Sequence, residues 1–266
     1  MYLPLRRRLQ NIINKIPAII SIGLIVLLWH ILSVMEIVPS YMLPGPTMVI
    51  DAFVEDYDII MSHGIVTLTE AFAGLAVGIL CAFVIATIMD RWKFMDRALY
   101  PIMIITQTIP TIAIAPLLVL WMGFEMEPKI TLVALTTFFP IAVSLLDGYK
   151  SVDKDYINLM RAMGANRWKI FSKLKLPAAL PHFFSGLKVS VSYAVVGAVI
   201  SEWLGGFEGL GVYMTRVRKA YAFDKMFAVI IFIVVISLIL MWLVNLIKLV
   251  SMPWIQAEEG ANNEKD

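Results

Sequence analysis

Charge is scarce in this sequence. Asp, Glu, Lys and Arg make up 16% of its 266 residues and hydrophobic residues 60%, whereas soluble chains carry roughly 25% charged and 45–50% apolar residues. So little polar surface could not cover a soluble core. An ordinary globular domain is therefore excluded, and a polytopic membrane protein is expected, with a mean hydropathy of +0.81. Cysteine occurs once, as Cys81 inside an apolar run, so neither a disulfide nor a cysteine metal site can form within one chain. Histidine occurs three times, as His30, His63 and His182, in separate segments and in no ligand spacing such as HExxH. A GxxxxGK[ST] phosphate loop and a GxSxG nucleophile elbow are both missing. No catalytic residue, metal, cofactor or nucleic-acid partner is expected, and Asp153 and Asp155 read as solvated loop charges.

What is there is apolar length. A bilayer core of about 30 Å takes about 20 apolar residues per helix, and six stretches qualify, at 17–35, 65–88, 98–120, 130–146, 183–203 and 226–249. Arg6, Arg7, Arg8 and Lys15 precede the first. That start is like a signal peptide's, but the run is long and no small-residue cleavage site follows, so an uncleaved span is expected. Lys and Arg collect on the cytoplasmic side of membrane proteins. Here they collect in the head, in 89–97 as Arg91, Lys93 and Arg97, and in 147–182, whereas 36–64 has none and holds Glu36, Asp51, Glu55, Asp56 and Asp58. This pattern puts 1–16, 147–182 and 251–266 in the cytoplasm, around a membrane domain over 17–250, with both termini inside. Segment 204–225 should lie outside, yet it carries Arg216, Arg218, Lys219 and Lys225. Either the fifth stretch re-enters without crossing or this segment is a local exception, and the length of 183–203 favours the exception.

Several residues within the spans invite a function. Pro110 and Pro116 interrupt the third span, and each removes a helical hydrogen bond whose free carbonyl needs a partner in protein or cavity water. A helix broken there should face the interior near Gln107, Thr108 and Thr111, as a solute path or as a structural kink. Glu70 lies in the second span, where an ionisable group is costly; it is a functional carboxylate or one that snorkels outward. Glu202 closes the fifth span beside GGFEGLG at 205–211, which could form an outer gate or a flexible loop. The small residues of AFAGLAVG at 71–78 suit close helix packing.

The segment 147–182 is long for a connection. Tyr156, Leu159, Met160 and Met163 recur at helical spacing, Gly164 supplies a stop, and Trp168, Ile170, Phe171 and Leu174 begin a second amphipathic stretch that Pro177 should end. Those apolar side chains either pack on the chain's own spans or enter a partner's groove. A basic loop attracted to anionic lipid would account for the charge but not for the spacing.

Gly164, nine residues, Leu174, one residue and Leu176-Pro177 together resemble the cytoplasmic EAA loop of bacterial ABC-importer permeases: EAA, three residues, Gly, nine residues, Ile, one residue, Leu-Pro. TQTIPTIAIAPLLVLWMGF at 106–124, FFPIAVSLLDGYKSV at 138–152 and GAVISEWLGGFEGLGVYM at 197–214 look like the branch containing nitrate, sulfonate, taurine, thiamin-precursor and riboflavin-precursor permeases. The resemblance covers about residues 40–250. It implies an all-α transmembrane protein with the type I ABC importer fold: about six membrane-spanning helices and a cytoplasmic coupling-helix loop, in the bacterial inner membrane. It further implies two ABC ATPase subunits, an extracytoplasmic solute-binding protein and a second permease chain forming a homodimer, with hydrolysis left to the ATPase. The implied ATPase contact is Arg161, Met163, Gly164, Ala165, Asn166, Trp168, Lys169, Leu176 and Pro177. The implied translocation path takes in Glu70, Gln107, Thr108, Pro110, Thr111 and Glu202. One departure is plain: Asn158, Leu159 and Met160 stand at the EAA positions, so the role of the motif glutamate cannot be carried over.

Two other classes compete with the importer. An ion-coupled secondary transporter would use Glu70 as its coupling carboxylate, but internal repeats, usual in that class, are not evident. An intramembrane enzyme lacks the residues for chemistry. Among solutes, SEWLGGFEGLGVYMTRVRKAYAFDKMFA most resembles the vitamin-precursor permeases, the pyrimidine precursor of thiamin above all. Aliphatic sulfonate, taurine or nitrate is the alternative, which Arg216, Arg218 and Lys219 would suit.

Overall fold

In hydrocarbon a backbone must satisfy its own polar groups, and the computed structural model of this chain is accordingly helical wherever it is regular among the described residues. It describes residues 3–252, with side chains from residue 16 onward. The basic side chains Arg6, Arg7, Arg8 and Lys15 and most of the expected tail 251–266 lie outside the described residues. The helices are α1 (Leu3–Val34), α2 (Pro46–Glu55), α3 (Tyr57–Arg91), α4 (Lys93–Thr108), α5 (Thr111–Met122), α6 (Glu127–Lys150), α7 (Lys154–Ala162) and α8 (Arg167–Ile170). A π turn (Phe171–Lys175) leads into α9 (Leu176–Gly205), followed by α10 (Leu210–Lys219) and α11 (Phe223–Ser251). Among the described residues five helical segments are long and apolar enough to cross a membrane, and α4 with α5 makes a sixth, bent by 98°.

Two expectations need correction. The third stretch is broken, as its prolines imply, but the break falls at Ile109–Pro110 alone. Ile109 is extended (φ −80°, ψ 122°) and Pro110 caps α5 (φ −59°, ψ 124°), because the proline ring drives the residue before it out of the α region. Pro116 stays inside α5. Pro177 likewise does not end the second amphipathic stretch: it sits in the first turn of α9. The preceding turn widens so that the Leu176 N–H reaches the Phe171 carbonyl, five residues back, and the helix continues past the proline. The helical segment that contains the fifth span therefore runs from Arg167 to Gly205, 39 residues, or about 58 Å at 1.5 Å per residue. That length is ample to cross.

The described chain falls into two units. The first comprises residues up to Ile60 together with Met214–Ile231. Its core is Val49, Ala52 and Ala228, packed by Trp29, Phe53 and Phe227, and the Trp29 indole N–H donates to the Pro44 carbonyl at 3.0 Å. Lys225 lies 2.9 Å from Asp56 and 3.4 Å from Glu55. One of the four cations that made 204–225 anomalous is thus neutralised by the acidic segment.

The second unit takes Met61–Tyr213 and the chain from Phe232 onward. Here α6 packs along α9, with α5 against both, around Leu75, Ile141, Leu145, Tyr149, Phe184 and Val191. Without a hydrophobic force between helices in lipid, close packing has to hold them together, and small residues permit it. A Cβ on Gly74 would stand 2.6 Å from Val133 Cγ1 and 2.8 Å from the Ile130 carbonyl, and one on Gly186 2.7 Å from the Pro140 carbonyl. The glycines of 71–78 and 186 are therefore interhelical seams. Outward-facing residues such as Ile25, Leu80, Leu120 and Val250 are exposed, as lipid-facing positions require.

Candidate functional site

Three places gather the residues of interest. The first is the segment between α6 and α9. Asp153, read from sequence as a solvated charge, is the N-cap of α7: its carboxylate accepts the Asp155 N–H at 2.9 Å. At the other end Gly164 adopts φ 79°. The Gly164 N–H donates to the Arg161 carbonyl and the Ala165 N–H to the Met160 carbonyl, both at 2.9 Å. This pair of bonds is the Schellman ending of a helix, which favours glycine at the left-handed position. Asn166 then caps α8 by accepting the Lys169 N–H at 2.8 Å.

The segment buries none of α7. Tyr156, Leu159, Met163 and Trp168 are 58–78% exposed, and Arg161, Gly164, Asn166 and Lys169 are exposed beside them. Ile170 is buried, whereas Ala165, Leu176 and Pro177 are half-buried, so this second set fixes the base of the segment. Tyr156, Leu159, Met163 and Trp168 form an apolar row that the described residues leave uncovered.

The second place is a cleft of about 580 Å³ framed by α3, α4, α5, α6 and α9 within the second unit. Ile109, at the break, is among its lining residues. Its wall is aliphatic and aromatic, with Thr106, Gln107, Thr111, Thr136 and Tyr193 as polar members and no charged side chain among its lining residues. The Thr106 and Thr136 hydroxyls donate to the Met103 and Val133 carbonyls, at 2.7 and 2.9 Å. Gln107, Thr111 and Tyr193 add an amide, a hydroxyl and a phenol. Of the residues expected on a path, Gln107 and Thr111 line this cleft, whereas Thr108 and Pro110 are not among its lining residues. The Thr108 hydroxyl donates to the Ile105 carbonyl at 2.8 Å.

Glu70 and Glu202 belong to the third place, a buried polar cluster separate from the cleft lining. Glu70 is fully buried and receives the Lys129 ammonium at 2.6 Å, so it does not snorkel. Glu202 accepts the Thr67 hydroxyl and the Gly211 N–H, each at 2.6 Å. The Leu210 N–H donates to Thr67 Oγ1 at 2.8 Å, and the Gly209 N–H to His63 Nδ1 at 2.9 Å. Three successive backbone donors at the start of α10, which a helix leaves unpaired, are thus satisfied by side chains of α3 and α9. The carboxylate of Glu202 also sits where the helix dipole favours negative charge. Gly209 allows the turn at φ 117°, and a Cβ on Gly211 would meet Glu202 Cβ at 2.9 Å. The glycine-rich loop is therefore held down rather than loose.

Lys129, Thr67 and His63 escaped the sequence reading. A lysine at the mouth of a span on the face that is poor in cations was the available signal for Lys129.

The sequence pattern of binding-protein-dependent transport system inner membrane components matches residues 74–248, which takes in the cleft, the exposed segment and Glu202. The chain belongs to this family of ABC-importer permeases. The permease is 34% identical over 228 residues to a probable ABC transporter permease protein of Haemophilus influenzae, covering 86% of this chain and 93% of that one. It is 33% identical over 232 residues to the formylaminopyrimidine transport permease protein ThiX of Halalkalibacterium halodurans, covering 87% and 92%. In fold it is similar to the inward-facing MetNI methionine ABC transporter, with TM-score 0.62 and 18% identity over 71% of this chain and 94% of that one. The expected type I importer architecture is thereby borne out. The permease is an inner-membrane transport component and not an enzyme, and membership displaces the secondary-transporter and intramembrane-enzyme alternatives. The family implies ATPase subunits and a binding protein as its working partners.

Proposed function

We propose that the permease imports a small uncharged solute, with a pyrimidine precursor of thiamin as the foremost candidate, released to it by an extracytoplasmic binding protein. The observation that carries this reading is the cleft: about 580 Å³, aliphatic and aromatic, with amide, hydroxyl and phenol groups and no cation among its lining residues. A neutral heteroaromatic ring finds there both stacking surface and hydrogen-bond partners. A sulfonate or nitrate would lose its hydration shell with no charge to replace it. The likeness to a permease named for formylaminopyrimidine supports the same choice.

In this reading two copies of the chain form a homodimer, with Gln107 and Thr111 of each facing the shared passage and Thr108 and Pro110 shaping its bend. Glu70 and Glu202 act on the path indirectly, by holding its walls. Two ATPase subunits dock on Arg161, Met163, Gly164, Asn166, Trp168 and Lys169, while Ala165, Leu176 and Pro177 brace the segment from behind. Both termini and this segment lie in the cytoplasm, in keeping with the Lys and Arg bias.

Calorimetric titration of the purified cognate binding protein tests the solute. Formylaminopyrimidine should bind at least 100-fold more tightly than taurine or an alkanesulfonate, a gap of about 2.7 kcal/mol. Preference for the sulfonates would overturn the assignment and make them the solute.

A further inference from the structure

The π turn is held at both ends. At its first residue the Phe171 ring packs 5.3 Å from the ring of Tyr149 on α6. Tyr149 is 1% exposed, with its hydroxyl 3.5 Å from Thr87 Oγ1 on α3. At its last residue the Lys175 ammonium lies 2.6 and 2.9 Å from the two carboxylate oxygens of Asp90, next to the last residue of α3. The side chains of this pair are 20% and 13% exposed, so solvent and salt screen it little. The same α3, one unbroken helix from Tyr57 to Arg91, carries His63 and Thr67, which hold the N–H groups of Gly209 and Leu210.

We propose that Asp90 and Lys175 are the positioning pair through which movement of the 154–170 segment is transmitted to α3. This rests on the docking of an ATPase at that segment. Ion pairs and rigid helices are the physical carriers of such coupling. The widened turn lets the segment rotate without breaking the helix that contains it, and the pair converts that rotation into displacement of α3. At its far side α3 grips the loop at the start of α10, so a push at Lys175 reaches Gly209 and Leu210 through a single element.

Cys81 is exposed and lies on α3, which makes it a native reporter. The test uses the reconstituted complex with its cognate ATPase and an environment-sensitive fluorophore on Cys81, read before and after addition of ATP and vanadate. Wild type should give a nucleotide-dependent change. Asp90→Asn and Lys175→Gln should keep the ATPase bound but lose the change by about tenfold, within the usual range of coupling between sites. The exchange variant Asp90→Lys with Lys175→Asp should restore it. A pair that merely stabilised the fold would reduce the yield of complex and leave the response of each assembled complex intact. No response in wild type, an undiminished response in either single variant, or an assembled exchange variant that stays silent would overturn the proposal. Should the single variants fail to assemble, the exchange variant decides alone.

Cross-linking of Met163→Cys to the ATPase in a Cys81→Ala background separates the two readings. A cross-link with an undiminished response in the single variants overturns the pair alone. Its absence overturns the docking on which the pair rests.

Discussion

Replacing Lys129 by methionine should destabilise the permease far more than a surface change would. The ammonium lies 2.6 Å from Glu70, and the two side chains are 6% and 1% exposed. Removing one partner of such a pair leaves a buried charge without compensation, at a cost of about 3–5 kcal/mol. With about 2–4 °C of Tm per kcal/mol for chains of this size, the melting temperature in nanodiscs should fall by roughly 10 °C. Replacing both partners, with Glu70→Leu added, removes the stranded charge and should recover most of the loss. The double-mutant cycle should then give a coupling energy of at least about 2 kcal/mol. Scanning fluorimetry of the purified wild type, both single variants and the double variant at one fixed pH measures it. If Lys129→Met melts within about 2 °C of wild type, Glu70 is not held as a carboxylate against Lys129, and the reasoning fails.

Glu202→Ala strands the Gly211 N–H and the Thr67 hydroxyl, and should cost about 1–3 kcal/mol, seen as a lowered Tm and faster hydrogen exchange at 209–211; unchanged exchange there would refute the capping role. Gly186→Leu forces a side chain against the Pro140 carbonyl and should lower the yield of folded protein, whereas Gly23→Leu, with open space around it, should not; equal yields would contradict the seam. For orientation, a cysteine at Tyr57 in a Cys81→Ala background should react with an impermeant maleimide in whole cells and one at Ser151 should not, and the reverse result inverts the topology.

The sequence exposed some of these features because single residue types force them. Pro110 drives Ile109 out of the α region, although Pro116, Pro140 and Pro181 sit inside helices, and Gly164 followed by a fresh amphipathic run marks a helix end. Apolar length and the scatter of Lys and Arg are sums over many residues, so the spans were visible too. Pairings across helices were not. Nothing local ties Lys129 to Glu70 or Lys175 to Asp90, since each contact depends on which faces of two spans meet. The π turn was equally hidden, because Pro177 reads as a stop until the widened turn before it is seen. Glu202 was noticed as an odd charge beside glycines, but its capping of α10 required the loop to fold back onto it.

Coupling of ATP hydrolysis through the exposed 154–170 segment is tested most directly at Gly164. Its φ of 79° penalises a Cβ by about 1–2 kcal/mol, while nothing lies within 4 Å of that Cβ in the chain itself, so Gly164→Val perturbs the turn and its outer face without touching the spans. Reconstituted with its ATPase and binding protein, this variant should insert normally yet lose about tenfold or more of ATPase recovery and of ligand-stimulated hydrolysis, with Lys154→Ala close to wild type as a control. Wild-type recovery and stimulation in Gly164→Val would contradict the account and leave the segment as a basic loop on the lipid surface.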